Sequence, residues 1–433
     1  MHPVVGLFLI WIVIATLASS RNSALVCAVL TLNFVTPAQR LYLLGMNLPA
    51  MRIFIFAAIA RILIRREYSS IRLCNLDWIV VLYGISTVSA YTLQQPSLGS
   101  LNYAIGNALD AIGAYFIIRV LIRGGDGFGH LVRALGWVSL VILVLFLFES
   151  RTGVNPMSYF GGVPANSDIR GGRIRIAGTY PHSILAGAYW AAALPLFLGF
   201  RFRDGHRMTV MYAAAISSLV IVFLSASSTP LASAALGVAA AALYYQRSSL
   251  TAIKLGLLAG LFALALVMHH PIWFLLSKVD LVGGSTGYYR YLLVDNFIRH
   301  WHEWYQVGIP DTVQWGAGLG LGSVGLRDLA NQFVYEGTRG GAASLALFIA
   351  AIVVALRYVG TLVRAQATED ERRQSWHLGI SVVVHVTSFV AVSYYGQVKF
   401  AWWMTLAICA SLYQQFTVER TRTFVGVAVG EGA

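Results

Sequence analysis

Charged residues are scarce in this chain of 433 residues. Only 11% are Asp, Glu, Lys or Arg, and 58% are hydrophobic, whereas soluble domains are about 25% charged. The apolar residues form continuous runs, which predict helices rather than alternating strands. Backbone exposed to lipid must satisfy its own hydrogen bonds, and helices do so. The composition therefore excludes an ordinary soluble domain and predicts an all-α integral membrane protein.

Cysteines and acidic clusters are scarce as well. Cys27, Cys74 and Cys409 lie in or beside apolar runs and show neither metal-ligand nor disulfide spacing. No acidic cluster suited to Mg²⁺ is evident, so we expect no metal and no other cofactor. The net charge of +13 reflects basic residues in short loops between apolar runs. The positive-inside rule explains this pattern without a nucleic-acid partner.

Most of the sequence divides into apolar segments of roughly 16–22 residues, about the length that crosses a bilayer core. The first two segments are short and can be divided differently, so we expect 12 or 13 transmembrane helices. The N-terminus lacks a charged region and a cleavage site, so its first helix is predicted to be retained. No internal repeat is detected, and residues 1–433 are interpreted as one polytopic domain. The predicted helices lie near 3–19, 22–36, 49–64, 76–93, 101–122, 131–148, 182–200, 208–225, 229–245, 250–268, 341–363, 376–395 and 399–416.

The connections between these helices predict an orientation. Strongly basic connections alternate with weakly charged ones, and basic loops belong in the cytoplasm. Two longer segments then fall on the opposite side by parity: the first long segment, 149–181, and the second long segment, about 269–340. In a bacterium this side is the periplasm, and the protein would be a multi-pass protein of the inner membrane. The basic connections are 61–72, 119–133, 201–207, 247–254 and 357–373.

The first long segment contains three arginines within six positions, Arg170, Arg173 and Arg175, followed by a turn and His182. Arginine is a permanent cation whose planar fork grips phosphate in bidentate fashion. Arg173 and Arg175 are two residues apart, so in extended backbone they would point the same way. Contact with lipid headgroups explains the three arginines equally well.

The second long segment is a polar island of about seventy residues in an otherwise apolar chain. Helical spacing of apolar residues predicts an amphipathic helix over 288–304, which would lie against the bundle or on the bilayer. Arg290 has no obvious partner in that helix and is a candidate anion ligand. Asp295, Arg299 and Glu303 have the spacing of i,i+4 ion pairs.

The remaining polar residues of the second long segment allow several roles. For His300 and His302, interfacial packing and catalysis are equally consistent with the sequence. Gly318 and Gly320 predict a tight turn or a close approach to a ligand, without the strand–helix context of a nucleotide motif. Asp328 and Asn331 would share one helix face.

A carboxylate falls within the predicted span 101–122. Asp110, near Asn107, is a functional candidate because charged groups inside a bilayer are expensive. A hydrogen bond in the interior of the bundle is the alternative.

Together these motifs resemble the O-antigen ligase and polysaccharide polymerase superfamily, bacterial multi-spanning glycosyltransferases of the GT-C type. Members show an Arg…Gly-Thr-Phe…His-Pro-Asn segment that leads into a helix. A later loop contains an arginine, a Gly-x-Gly turn and His-Asn…Glu-x-Gly-x-x-Gly. The first motif corresponds to Arg173…Gly178-Thr179-Tyr180-Pro181-His182. The second corresponds to Arg290, Gly318-Leu-Gly320 and Ala330-Asn331…Glu336-Gly337…Gly340.

Two departures from the family pattern matter. The His-Pro order is reversed, and the histidine of the His-Asn pair, a proposed catalytic residue in ligases, is Ala330 here. Asp328, three positions before Asn331, is similar to exopolysaccharide polymerase-type members. The resemblance therefore favours a polymerase over a ligase that transfers O-antigen to lipid A–core.

The resemblance implies a GT-C-like fold and a metal-independent, inverting transfer in the periplasm. The donor would be an oligosaccharide on undecaprenyl pyrophosphate, and the acceptor would be a polysaccharide hydroxyl. Arg173, Arg175 and Arg290 would bind the pyrophosphate. Membrane lipids, a flippase and a chain-length regulator are the expected partners. A lipid or solute transporter is the alternative of another class, although inverted repeats are not detected. The candidate bases are Asp328, Glu336, His300, His302 and His182.

Overall fold

The computed structural model describes residues 1–36, 38–43, 46–200, 205–278, 287–316 and 326–430. These residues are almost entirely helical. Two short antiparallel hairpins are the named strands within the described part of the chain: β1 (Arg40–Leu43) with β2 (Met46–Pro49), and β3 (Asp168–Arg170) with β4 (Arg173–Arg175). The α-helices are α1 Pro3–Ala18, α2 Arg21–Phe34, α3 Ala50–Ile64, α4 Asn75–Gln94, α5 Leu98–Leu121, α6 Gly124–Thr152, α7 Ser183–Gly199, α8 Gly205–Leu224, α9 Ser228–Ala242, α10 Leu250–Val267, α11 Gly287–Arg299, α12 Trp301–Trp304, α13 Gln332–Ala365, α14 Glu369–Phe389 and α15 Gln397–Gly430.

The all-α prediction is confirmed, and every predicted helix has a counterpart in the structure. Among the described residues, five helices are long and apolar enough to cross a membrane: α4, α5, α6, α8 and α13. A bent pair formed by α9 and α10 would make a sixth, and α1 and α7 are shorter apolar helices. The full count of 12 or 13 spans stays a prediction, because several helices, such as α2 with 14 residues, are short for a span.

The core is built around α7, which is apolar on all sides and packs against α8, α9 and α14. Its Trp190 is completely buried. A Cβ added to Gly187 would lie 2.5 Å from Ser225 Oγ, so glycine is what allows α7 to approach the segment before α9. The N-terminus of this buried helix follows directly from the first long segment, which fixes where that segment returns to the bundle.

Polar contacts define one end of the bundle. The guanidinium of Arg61, at the end of α3, is 1% exposed and donates to the Thr16 carbonyl of α1 at 2.6 Å. It also donates to Glu67 at 3.1 Å. Arg119 of α5 pairs with Asp77 of α4 at 3.1 Å. The basic connections 61–72 and 119–133 therefore begin at the same end, as their alternation along the sequence predicts.

The first long segment lies at the other end of the bundle. Thr36 Oγ1 donates to the Gly161 carbonyl at 3.1 Å, which ties the segment to the end of α2. Gln397 Nε2, at the start of α15, donates to the Thr179 carbonyl at 2.8 Å. Both α3 and α5 run from this end towards the basic connections. The first long segment and the basic connections therefore lie at opposite ends of the bundle, as predicted. The side of the membrane that each end faces stays a prediction.

Two helix boundaries differ from the sequence prediction. The amphipathic helix expected at 288–304 is broken at His300 into α11 and α12, so Trp301, placed on the apolar face by its spacing, is exposed instead. The helix expected to begin at Gly341 begins at Gln332, and Gly341 interrupts it with φ 68° and ψ −174°. This conformation is essentially restricted to glycine. The break lets the backbone of α13 pass close to the backbone of Gln306.

We predict that Gly341→Ala destabilises the protein. A Cβ at Gly341 would lie 2.5 Å from the Gln306 carbonyl oxygen, and the backbone conformation alone costs a non-glycine residue about 1–3 kcal/mol. The matched control is Gly360→Ala in the regular part of α13, where the nearest atom would be 3.7 Å away. That change should raise stability slightly. Thermal unfolding in detergent checks both variants, and equal melting temperatures would contradict the assignment.

Candidate functional site

The arginines of the first long segment lie on the hairpin β3–β4. Its register pairs Asp168 with Arg175 and Arg170 with Arg173, and cross-strand pairs share a face of the ribbon. The two-residue turn consists of Gly171 and Gly172 with φ 55° and 73°, the positive values that favoured hairpin turns require. All three guanidinium groups therefore belong to one face, as the spacing of Arg173 and Arg175 predicts.

Burial distinguishes these arginines. Arg175 is 4% exposed, Arg170 is half-buried, and Arg173 is exposed near the tip of the hairpin. Arg175 Nη1 donates to the Asp168 carboxylate at 3.0 Å. The Nε of Arg175 is buried without a hydrogen-bond partner within the described residues. A buried guanidinium with an unused N–H is poised for an anion.

Glu149, at the end of α6, fixes the chain on both sides of this hairpin. Its carboxylate is buried and accepts the backbone N–H groups of Ala177 at 3.2 Å and Gly178 at 2.9 Å. It also accepts the Ser167 hydroxyl at 2.9 Å. Glu149 thus connects both ends of the hairpin to the bundle and sets the depth at which Arg175 lies.

His182 is the N-cap of α7. Its Nδ1 accepts the backbone N–H of Ile184 at 3.2 Å, so in the neutral ring Nε2 carries the proton. Burial, followed by the charge of Arg175, lowers the pKa of His182. The neutral ring therefore presents an N–H donor, and its acceptor nitrogen is already used. This arrangement suits a group that binds an anion better than a group that removes a proton.

Arg290 connects the second long segment to the hairpin. It lies in the first turns of α11 and is 8% exposed, and its Nε has no hydrogen-bond partner among the described residues. Burial and the neighbouring charge of Arg170 lower the pKa of Arg290, and Arg175 acts in the same direction. Arginines from two segments that are more than a hundred positions apart in sequence therefore share one electrostatic environment.

Asp328 completes this group. Its side chain is exposed, and its charge acts on Arg290, His182 and Tyr395. The Tyr289 hydroxyl donates to its backbone carbonyl at 2.9 Å, which fixes the chain at Asp328 to the start of α11. We define the arginine site as Arg170, Arg175, His182, Arg290 and Asp328.

Glu336 is shielded from solvent. Its carboxylate is buried, with Tyr83 Oη donating at 2.9 Å and Gln332 Nε2 at 2.6 Å. Gln332 Oε1 in turn accepts the backbone N–H of Tyr394 at 2.5 Å. These contacts fasten the first turns of α13 to α4 and to the segment before α15, which is a structural role.

Asn331 has a structural role as well. It is the N-cap of α13, where its Oδ1 accepts the Val334 N–H at 3.1 Å. Its Nδ2 donates to the Val390 carbonyl at 3.0 Å. The cap begins the helix three residues after Asp328 and so determines where that carboxylate lies. Asn331 positions the site without joining the arginine site itself.

His300 and His302 follow the opposite end of α11 from Arg290. At 1.5 Å per residue, His300 lies about 15 Å along the helix from Arg290. His300 Nδ1 donates to the Asn296 carbonyl at 2.9 Å, and its ring stacks on Trp315 with centroids 5.4 Å apart. His302 is exposed. The contacts of His300 therefore favour the packing interpretation for that residue, and both interpretations stay open for His302.

The remaining candidate residues have partners in the structure or lie outside its described residues. Asp110 forms two hydrogen bonds with Arg52 of α3, at 2.7 and 2.9 Å, which matches the bundle-interior alternative. The i,i+4 pair of Asp295 and Arg299 is confirmed at 2.7 Å, whereas Glu303 accepts from Trp315 Nε1 instead. Gly318 and Gly320 lie outside the described residues.

The sequence gives little sign of the importance of Arg170 and Glu149. Arg170 was visible as the first of three arginines, but only the burial of the docked hairpin shows that it is less exposed than Arg173. Glu149 lies at the boundary of a predicted span, and that position was the signal that could have drawn attention to it. Within the described residues, no group of three His, Cys, Asp or Glu side chains lies together in a metal-binding arrangement.

No protein-family model matches this chain, and no curated protein matches it. Function is therefore inferred from the chemistry of the arginine site.

We predict that Glu149→Ala loosens the hairpin. Hydrogen bonds to a charged group are worth about 1.5–3 kcal/mol each, and this variant loses three of them. The melting temperature should fall, and limited proteolysis should cut 149–181 faster. Glu303→Ala removes a carboxylate that bonds to Trp315 in the second long segment, so it should leave cleavage of 149–181 unchanged. Equal cleavage in both variants would contradict the role of Glu149.

We predict that His182 makes stability depend on pH. Its pKa is lower in the folded protein than its ordinary value of 6.5, so the unfolded chain binds more protons as the pH falls through that value. Folding therefore loses stability on acidification. His182→Asn keeps an N-cap residue but removes the titration. The wild type should lose more thermal stability than this variant between pH 8 and pH 5. His302→Asn, at an exposed position, should behave as the wild type does, and identical profiles for all three would refute the prediction.

Proposed function

We propose that this protein is a membrane glycosyltransferase that joins an undecaprenyl-pyrophosphate-linked glycan to a sugar hydroxyl. Polymerisation of exopolysaccharide or O-antigen repeats is the favoured reaction. The observation that carries the proposal is the pair of buried arginines, Arg175 and Arg290, whose Nε groups lack partners within the described residues. The order of motifs along the chain supports the same class of enzyme. The reaction would take place at the periplasmic face of the inner membrane.

The charge of the arginine site suits a pyrophosphate. Arg170, Arg175 and Arg290 supply three permanent cations, while the two nearby carboxylates, Asp168 and Asp328, are exposed to solvent. Exposed carboxylates are screened more strongly than buried groups, so positive charge dominates the buried part of the site. Fixed donors aimed at developing charge typically stabilise a transition state by about 3–4 kcal/mol each.

In the proposed reaction, an acceptor hydroxyl oxygen attacks the anomeric carbon of the donor sugar. The bond between that carbon and the pyrophosphate oxygen breaks, and its electron pair leaves with the pyrophosphate. The arginines stabilise this departing charge, and the Nε2–H of His182 adds a neutral donor. Attack opposite the leaving group inverts the anomeric centre.

The proton of the acceptor hydroxyl must pass to a base. Asp328 is the candidate that the site favours, because its carboxylate is exposed beside Arg290 and His182. The acceptor nitrogen of His182 is occupied by Ile184, Glu336 is enclosed by Tyr83 and Gln332, and His300 and His302 follow the far end of α11. The proposal therefore assigns the base to Asp328 in place of the histidine that Ala330 replaces.

We predict that purified protein extends lipid-linked repeat units without ATP or added metal. Arg290→Ala should lower turnover by about 10²–10³-fold, as loss of one preorganised donor does, and Asp328→Asn should lower it by about 10²-fold or more. Arg299→Ala is the matched control: it removes the same charge from an exposed position at the far end of α11 and should cost less than tenfold. Thermal unfolding shows that each variant is folded.

Three results would contradict the proposal. Turnover unaffected by Arg290→Ala would remove the anion site from the reaction. Transfer only to lipid A–core would favour the ligase. Movement of an unchanged lipid or solute across a bilayer, with no new glycosidic bond, would favour a transporter.

A further inference from the structure

An apolar groove lies on the surface of the bundle, near its basic end. The groove runs between α3 and α5 and reaches the connection that follows α3. It is separate from the arginine site, which lies at the opposite end of the helices.

The walls of the groove are apolar. Ile59 and Ile62 of α3 face Leu109 and Phe116 of α5 across it, and the α5 residues lie two helical turns apart on one face. The helices touch at Gly113, where an added Cβ would lie 2.8 Å from Ile55. The groove opens beside this contact and continues to Ile71. Such a surface favours a hydrocarbon chain over water.

The chain that lines the end of the groove, residues 68–73, is amphipathic, with one arginine inside it and another just before it. Tyr68 lines the groove and is 52% exposed, a typical position for tyrosine at a membrane–water interface. Arg66 and Arg72, on either side of Tyr68 in sequence, are exposed. Within the described residues, neither guanidinium has a hydrogen bond or an ion pair. This sets them apart from Arg61 and Arg65, whose guanidinium groups bond to the last carbonyls of α1.

We infer that this groove binds an anionic phospholipid of the adjacent leaflet. One acyl chain lies between α3 and α5, the phosphate lies between Arg66 and Arg72, and Tyr68 packs at the glycerol level. Charge complementarity selects this occupant, because a zwitterionic lipid fills the apolar groove equally well but gains less from the two cations. Basic pockets between membrane helices bind anionic headgroups in this manner.

Native mass spectrometry of the full chain in detergent tests the inference. The probes are phosphatidylglycerol, phosphatidylcholine with the same acyl chains, and free glycerol phosphate. Phosphatidylglycerol should be retained preferentially, and glycerol phosphate should not be retained. The double variant R66A/R72A should retain phosphatidylglycerol about 30-fold less strongly, given the usual contribution of a basic residue near an anionic membrane.

The matched control is R357A/R364A, which removes two exposed arginines from another basic connection. This variant should retain phosphatidylglycerol as the wild type does. Equal retention of the two lipids would overturn the role of charge. Retention of glycerol phosphate would overturn the role of the groove. Equal losses in the two double variants would show a general surface effect and overturn the site. Thermal unfolding in detergent confirms that both variants are folded.

Discussion

Burial of two incompletely paired guanidinium groups is the constraint on which the proposed site depends. Arg175 and Arg290 repel each other electrostatically, and both are more than nine-tenths buried. Taking a cation out of water is costly unless hydrogen bonds and opposite charge compensate it. Asp168 provides part of that compensation for Arg175. A bound diphosphate group would provide the rest, since it carries negative charge and several acceptor oxygens.

The bundle holds these charges together through polar contacts that are largely buried. Glu149 fastens the hairpin, and the N-cap bonds of His182 and Asn331 fix where α7 and α13 begin. Glu336 ties the first turns of α13 to Tyr83, 253 positions away in sequence. Glu149, Asn331 and Glu336 have satisfied hydrogen bonds and are directed at backbone or at a neighbouring helix. The groups of the arginine site differ, because they retain unused donors or open carboxylate oxygens.

Much of the helical architecture could be predicted from the sequence, because long apolar runs leave a membrane chain few alternatives to helices. The two long segments could also be predicted, because they interrupt the apolar runs. The hydrogen-bond partners of the charged side chains could not be predicted. Asp110 is paired by Arg52 across 58 positions, and only tertiary packing shows this. Likewise, local spacing makes Arg170 and Arg173 equivalent, whereas the docking of the hairpin leaves Arg170 half-buried and Arg173 exposed. The break between α11 and α12 at His300 is a third limit, because it leaves Trp301 exposed although its spacing places it on the apolar face.

The most direct test of one shared anion site is a double-mutant cycle on binding. Affinity for undecaprenyl pyrophosphate is measured for the wild type, for R175A, for R290A and for the double variant. If both arginines bind the same diphosphate, their effects should be coupled by about 0.5–3 kcal/mol. Additive effects, within about 0.5 kcal/mol, or unchanged binding in either single variant, would show that the two segments do not form one site.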